Sequence, residues 1–340
     1  MSKAQMKKSS TPVTPMKFVS DLWAARMSLA LIAAIDLDVF SVIAQGKKTS
    51  ADIARAINAP RHGVERLLDA LVGMEYLNKR GTQYTLSPMS DTFLVRNKPS
   101  FIGPMADESR MTMPAWLELA KTIRSGKSVA SIDSAEGREF FPRLVKAIFP
   151  LTYAGARSLV EKFPQAKLKK IERVLDVAAG AAAWSIPFAQ AVPTARVTAV
   201  DYPEVTAVAR EYAQQFGVAD RFDYLEGNLR ELDFGQKQYD VVILGHILHV
   251  EGEKWGKSLI AKSYKALKPG GTMVIAEMIP NDARTGPPFP LLFGLNMVLH
   301  TAEGDVFTMA QLKQWLKQAG LSNIKTVEAD GPSPLILATR

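Results

Sequence analysis

Apolar residues in the first hundred positions recur at helical spacing, and from about residue 171 the pattern turns to short apolar runs separated by amphipathic stretches. Leu22, Ala25, Leu29, Ile32 and Ala33 mark one helix, and Val39-Phe40-Ser41-Val42-Ile43 marks a short apolar turn after it. Thr49-Ser50-Ala51-Asp52 is a capping-box pattern, which predicts a helix opening there and stopping near Asn58-Ala59-Pro60. Val64, Leu67, Leu68, Leu71 and Val72 predict another amphipathic helix. Residues 76–79 and 82–86 flank Arg80-Gly81 and read as strand, turn, strand. Helices followed by a small hairpin is the winged-helix order. Residues 101–170 read as helical and irregular, and their bulky residues Met111, Met113, Trp116, Phe149 and Tyr153 suit either core packing or the wall of a substrate pocket.

The later pattern is a βα alternation. Residues 173–177, 196–201, 222–225, 240–244 and 272–277 are strand-like apolar runs, with helices expected through Trp184 to Ala189, Val205 to Phe216 and Leu259 to Leu267. That order implies an α/β fold, a Rossmann-like, mostly parallel sheet covered by helices on both faces. Ile324–Glu328 and Leu335–Thr339 are too close together for a helical crossover, so they predict an antiparallel edge. The expected organisation is a disordered N-terminus over 1–16, a winged-helix unit over 17–100, a helical linker and pocket region over 101–170, and a ligand-binding catalytic domain over 171–340.

Composition narrows the chemistry. The 340 residues contain no cysteine and four histidines, which excludes disulfides, thiolate metal sites and a cysteine nucleophile. The net charge of +8 invites a nucleic-acid or membrane reading. By segment it is +6 over 1–100, +5 over 101–170 and −3 over 171–340, so the catalytic domain is acidic. In the expected third helix, Arg61 and Arg66 are outweighed by Glu65, Asp69 and Glu75, and phosphate binding needs clustered positive charge. We therefore expect no nucleic-acid partner. The N-terminus lacks the apolar region of a signal peptide and no run reaches about 18 consecutive apolar residues, so a soluble cytoplasmic protein with no membrane partner is expected.

In doubly wound sheets ligands bind at the carboxyl ends of the strands. The first such strand ends in Asp176-Val177-Ala178-Ala179-Gly180-Ala181-Ala182-Ala183, and the second ends in Asp201. One glycine in that loop suits a pyrophosphate poorly, whereas an acid after the second strand suits two ribose hydroxyls. Asp201 also suits a plain cap for the helix after Pro203. His246 and His249 follow the strand ending at Leu244; each is a candidate pocket residue, and His249 is also explicable as a surface residue at a helix start. The pair could begin a metal site, but a third ligand would have to come from His300, Glu277 or Asp305, and no metal is expected.

The ordered set 174–180, Val200-Asp201-Tyr202-Pro203-Glu204-Val205, Gly227-Asn228-Leu229, Gly245-His246-Ile247-Leu248-His249, 265–271 and Ala276-Glu277-Met278 resembles the plant- and bacterial-type small-molecule O-methyltransferases. The resemblance covers nearly the whole chain. It implies S-adenosylmethionine as cofactor, a winged-helix domain that forms a homodimer, and a small-molecule substrate. It puts Asp176, Gly180, Asp201, Tyr202, Asn228, Leu229 and Gly245 around the cofactor, with Gly180 against its methionine portion and Asp201 on the ribose. It places His249 on the family's general base, with Glu277 and Asp305 in the region of the acids that orient it. Ala178 and Ala182 replace glycines, Asn228 replaces an aspartate, and Gly245 stands where plant members have a lysine, each of which bears on cofactor binding.

The chemistry agrees with that assignment on its own terms. A sulfonium methyl is already activated, so transfer needs placement of a nucleophile and removal of its proton, for which histidine is a suitable base near neutral pH. Met111, Trp116, Phe149, Tyr153, His246, Met278, Phe293, Asn296, Met297 and His300 are the candidate acceptor-pocket residues. Those of the Pro-rich segment after Gly286 suit a lid helix over an aromatic ligand or a face packed on a second chain. The expected activity is methyl transfer to a hydroxyl of a small aromatic metabolite. The alternatives are nitrogen or carbon methylation on the same fold, and a winged-helix transcription regulator with a vestigial ligand domain.

Overall fold

Thr49 opens a helix: its hydroxyl accepts the Asp52 N–H at 3.2 Å and donates to the Asp52 carboxylate at 2.6 Å, and the helix Ser50–Ala56 follows. It belongs to the first of two units into which the chain divides, one ending at Ala106 and the other running from Asp107 to Arg340. The computed structural model describes residues 14–98, 100–129, 135–330 and 333–340. The expected disorder at the N-terminus falls largely on residues outside that description, and Met16 already begins a helix.

In the first unit the helices Met16–Asp36, Val39–Ala44, Ser50–Ala56 and Arg61–Gly73 precede a hairpin of β1 (Leu77–Arg80) and β2 (Gln83–Leu86). Helix Arg61–Gly73 buries Val64, Leu68 and Leu71, the helical spacing seen in the sequence, against Phe40, Ile53, Leu77 and Tyr84. Asp69 on that helix accepts the Tyr84 hydroxyl at 2.8 Å and pairs with Lys79 at 2.6 Å and Arg66 at 3.1 Å, so the positive groups of helix and hairpin are partly neutralised locally. Helix Met16–Asp36 differs from the rest. It buries only Ile32 and Ala34 and leaves Phe18, Leu22, Trp23, Met27 and Leu29 exposed. By length and composition it could cross a membrane, although Lys17, Asp21 and Arg26 interrupt its apolar run.

The second unit is a seven-stranded sheet with helices. Its strands are β3 (Arg173–Val177), β4 (Arg196–Asp201), β5 (Phe222–Glu226), β6 (Tyr239–Gly245), β7 (Leu267–Ala276), β8 (Ser322–Val327) and β9 (Leu335–Thr339). They lie in the order β5-β4-β3-β6-β7-β9-β8; the first five are mutually parallel, and β9 runs antiparallel to both β7 and β8. The expected antiparallel edge is present: the short connection makes β8 and β9 antiparallel neighbours, and β9 lies between β7 and β8.

Alternation along β3 feeds two cores. Val174 packs with Phe188, Ala199 and Leu159 on one face, while Leu175 and Val177 pack with Leu244, Ile260 and Trp315 on the other. Residues from Asp107 onward build this unit: helix Ala135–Lys162 packs on helices Ile186–Ala191 and Pro203–Gln215. The Pro-rich segment becomes helix Pro288–His300, which packs on helix Leu119–Ser125.

Candidate active site

Strand order reverses at β3, with β4 and β5 to one side and β6 and β7 to the other, which opens a crevice beyond the carboxyl ends of the strands. A cavity of about 1020 Å³, mouth included, occupies that crevice. Gly180, Asp201, Tyr202, Asn228, Leu229, Gly245 and His246 line it from the strand ends, and Val145, Ile148 and Phe149 close it from helix Ala135–Lys162. Eight of the residues expected to contact a cofactor or acceptor thus converge, seven from the ends of four strands and Phe149 from a helix.

Asp201 ties the first two strands together. Its Oδ2 accepts the Gly180 N–H at 2.9 Å and its Oδ1 accepts the Tyr202 N–H at 2.8 Å. Burial pushes its carboxyl up to about 6, against the pull of those two bonds. Beneath the loop, fully buried Asp176 accepts the Ser185 hydroxyl at 2.6 Å through Oδ2, while Oδ1 has no partner among the described residues. Burial pushes this carboxyl up to about 7, and the negative Asp201 adds to the rise. Asp176 is therefore a support under the loop and does not itself line the cavity.

Gly180 has φ +58°, and a Cβ on it would stand 3.1 Å from Val145, so glycine is what lets the loop face the helix closely. Ala178 and Ala182 take the same left-handed conformation, at φ +55° and +56°. The path of a glycine loop is kept at a cost of roughly 1–2 kcal/mol per alanine. Gly245 has another reason: a Cβ there would lie 2.3 Å from Trp184 Cδ1, so the indole fills the space where a side chain would project. Trp184 precedes its helix and lines the cavity, a role that helical periodicity did not indicate. The signal available was a tryptophan in an otherwise small-residue loop.

Among the described residues no lysine or arginine lines the cavity, whereas Asp201 and Glu251 do, and Glu251 pairs with Arg230 at 3.0 Å. That donor and acceptor set fits a nucleoside carrying positive charge and does not fit a pyrophosphate. Asn228 Oδ1 accepts the Arg230 N–H at 2.9 Å, so this side chain also shapes its own turn.

His249 lies in the first turn of helix Leu248–Ala266, which begins well before the apolar stretch that announced it. Glu277, just after β7, explains the early start. Its Oε1 accepts the N–H groups of Leu248 at 2.7 Å and His249 at 3.3 Å, capping first-turn donors from across the sheet. Its Oε2 accepts His249 Nδ1–H at 2.7 Å. Burial alone would raise the Glu277 carboxyl, but the facing His249, with these bonds, holds it below the usual carboxylate range. An imidazole fixed through Nδ1 by a buried carboxylate keeps Nε2 for proton abstraction. The Phe293 ring meets it edge-to-face at 4.9 Å.

His246 is not helical: its φ is +61°. Its Nε2 bonds to Ser333 Oγ at 2.8 Å, and Ser333 in turn donates to Met278 Sδ at 3.3 Å. The two imidazole centres are 6.5 Å apart. Burial pushes His246 down to about 4, so it is neutral at pH 7.

Other expectations are corrected. Asp305 does not orient the imidazole, because its carboxylate pairs with Arg284 at 2.9 Å and only its N–H reaches the His249 carbonyl. Tyr153 is not on the cavity wall. It stacks on Phe149 and Phe216, and its hydroxyl donates to Gln190 at 2.8 Å, which packs helix on helix. Met111, Trp116, Asn296, Met297 and His300 lie on helices Met105–Leu117 and Pro288–His300 and, like His249, Glu277, Met278 and Phe293, are not in the lining of this cavity, so their place in an acceptor pocket stays a proposal. His300 Nδ1 is spent on the Asn296 carbonyl at 2.9 Å. Among the described residues no group of three or more His, Asp or Glu side chains is placed to hold a metal ion.

Known proteins share this architecture along their full length. The tetracenomycin polyketide synthesis 8-O-methyl transferase TcmO of Streptomyces glaucescens is 27% identical over 97% of this chain and 99% of its own. The S-adenosyl-L-methionine-dependent methyl transferase PigF of Serratia sp. is 25% identical, covering 96% of this chain and 97% of its own. A solved structure from Nostoc punctiforme superposes with a TM-score of 0.88 at 27% identity, over 97% of this chain and all of the other. The chain matches an O-methyltransferase dimerisation domain over residues 22–96 and an O-methyltransferase domain over residues 120–322, and it belongs to that O-methyltransferase family.

Proposed function

We propose that this enzyme transfers the methyl group of S-adenosylmethionine to a phenolic hydroxyl of a small aromatic metabolite, with His249 as general base. The observation that carries the reading is the buried His249–Glu277 pair, 2.7 Å apart, at the carboxyl edge of the sheet beside a cavity whose lining, among the described residues, has carboxylates and no lysine or arginine. When bound there, S-adenosylmethionine supplies a methyl group already activated on a cationic sulfur. Gly180 and Asp201 hold the nucleoside and its amino-acid end, Asp201 by accepting the ribose hydroxyls, and Tyr202, Asn228, Leu229 and Gly245 shape the rest. His249 Nε2 takes the proton of the acceptor hydroxyl, and Glu277 stabilises the imidazolium that results. Phe293 against the imidazole gives an aromatic acceptor an apolar wall.

The exposed face of Phe18, Leu22, Trp23, Met27 and Leu29, inside or bordering the dimerisation domain, is the surface we assign to a second copy of the chain. His249→Ala tests the reading: kcat falls by about 10²–10⁴, the usual contribution of a general base, while calorimetric affinity for S-adenosylmethionine is unchanged. Full activity in that variant removes His249 from the chemistry.

A further inference from the structure

Resting on the reading of His249 as base, we infer that His246 is a second acceptor-binding group, whose Nδ1 holds a hydroxyl adjacent to the reacting one, so that the preferred acceptors are vicinal dihydroxyarenes. Four observations converge on this residue. Its backbone is left-handed, at φ +61°, a conformation costly for a residue with a side chain and found where a site demands it. Its ring is fixed at both sides: Nε2 bonds to Ser333, and the ring face lies against Trp184, with centroids 5.7 Å apart. Nδ1 has no partner among the described residues, and His246 lines the cavity. Finally, the ring lies 6.5 Å from that of His249, centre to centre.

We assign the tautomer in which the Ser333 hydroxyl proton lies toward Met278 Sδ and His246 Nε2–H donates to Ser333 Oγ. The neutral imidazole then carries its lone pair on Nδ1, which accepts from a hydroxyl and offers nothing to a carbonyl or an ether. His249 likewise spends Nδ1 on Glu277 and keeps Nε2 for the reacting oxygen. A ring nitrogen reaches about 3 Å to its partner, so rings 6.5 Å apart can hold two oxygens that are neighbours on one small molecule.

The test compares a catechol with its matched lone phenol and its ortho-methoxyphenol as acceptors. The wild type is expected to favour the catechol in kcat/KM by roughly three- to tenfold, the scale of one neutral hydrogen bond. His246→Asn, which tolerates the left-handed backbone, brings the three acceptors within twofold of one another through KM, with S-adenosylmethionine affinity by calorimetry unchanged. Ser333→Ala keeps the imidazole but frees Nε2, and it lowers the preference without abolishing turnover; this variant carries the test if the Asn protein does not fold. A wild type with no catechol preference, an equal loss on all three acceptors in His246→Asn, or a preference unchanged in both variants overturns the inference. Methylation of lone phenols alone overturns it and leaves the base assignment standing. No methylation of any phenol overturns the functional reading beneath it.

Discussion

Replacing Glu277 by glutamine keeps the size of the side chain and one carbonyl oxygen but removes its charge. The remaining oxygen can still accept the Leu248 N–H, so the helix start survives. The amide nitrogen then faces His249 Nδ1 at the position of the present 2.7 Å bond. Two donors cannot share that bond, so the imidazole must place its proton on Nε2 and present a lone pair on Nδ1. The nitrogen needed for proton abstraction is thereby occupied. Loss of the charge-assisted bond alone is worth about 1.5–3 kcal/mol, or roughly 10- to 150-fold, and the wrong tautomer removes the general-base contribution, which raises the expected fall in kcat to about 10²–10⁴. The assay is single-turnover transfer of labelled methyl to a phenol at saturating cofactor, with calorimetry as control for binding. Acceptors of lower hydroxyl pKa should recover part of the loss, since they need less help from the base. A kcat within threefold of wild type, with an intact fold, refutes the role of Glu277 in setting the tautomer.

Asp201→Asn is expected to weaken S-adenosylmethionine binding by about 1–3 kcal/mol in calorimetry; the wild-type affinity should also fall as pH drops through about 6, where this carboxyl takes a proton, and the Asn variant should be flat there. Asp176 has a folded-state pKa of about 7, raised by burial from 3.8, so the folded protein binds this proton more tightly and stability is lost as pH rises between about 4 and 7. Asp176→Asn should therefore gain in melting temperature over the wild type as pH rises from 5 to 8, and an advantage that shrinks with rising pH contradicts this assignment. Leu22→Glu, on the exposed apolar face of helix Met16–Asp36, should shift the protein from dimer to monomer in sedimentation velocity without loss of helix content.

Periodicity located nearly every strand because buried parallel strands are continuous apolar runs, and Arg196–Asp201 ends at the residue its pattern indicated. Asp201, Gly180 and His246 were legible because they follow such runs directly. What stayed hidden depends on partners far apart in the chain. The helix at Leu248 starts where Glu277, 29 residues away, caps it, and no local signal announces that. Gly245 is small because Trp184 lies over it, a packing fact absent from either residue's neighbours in sequence. Asp305 and Tyr153 have the right chemistry for a site but are satisfied elsewhere, by Arg284 and Gln190. Ala178 and Ala182 looked like lost glycines; the fold holds both in the glycine conformation and accepts the strain.

Transfer of a methyl group to oxygen is read by incubating the protein with methyl-labelled S-adenosylmethionine and a panel of phenols, then locating the label by NMR. Label is expected on a phenolic oxygen as a methyl ether, lost in His249→Ala while cofactor binding persists. Label on nitrogen or carbon, or no cofactor binding by the wild type, would contradict it.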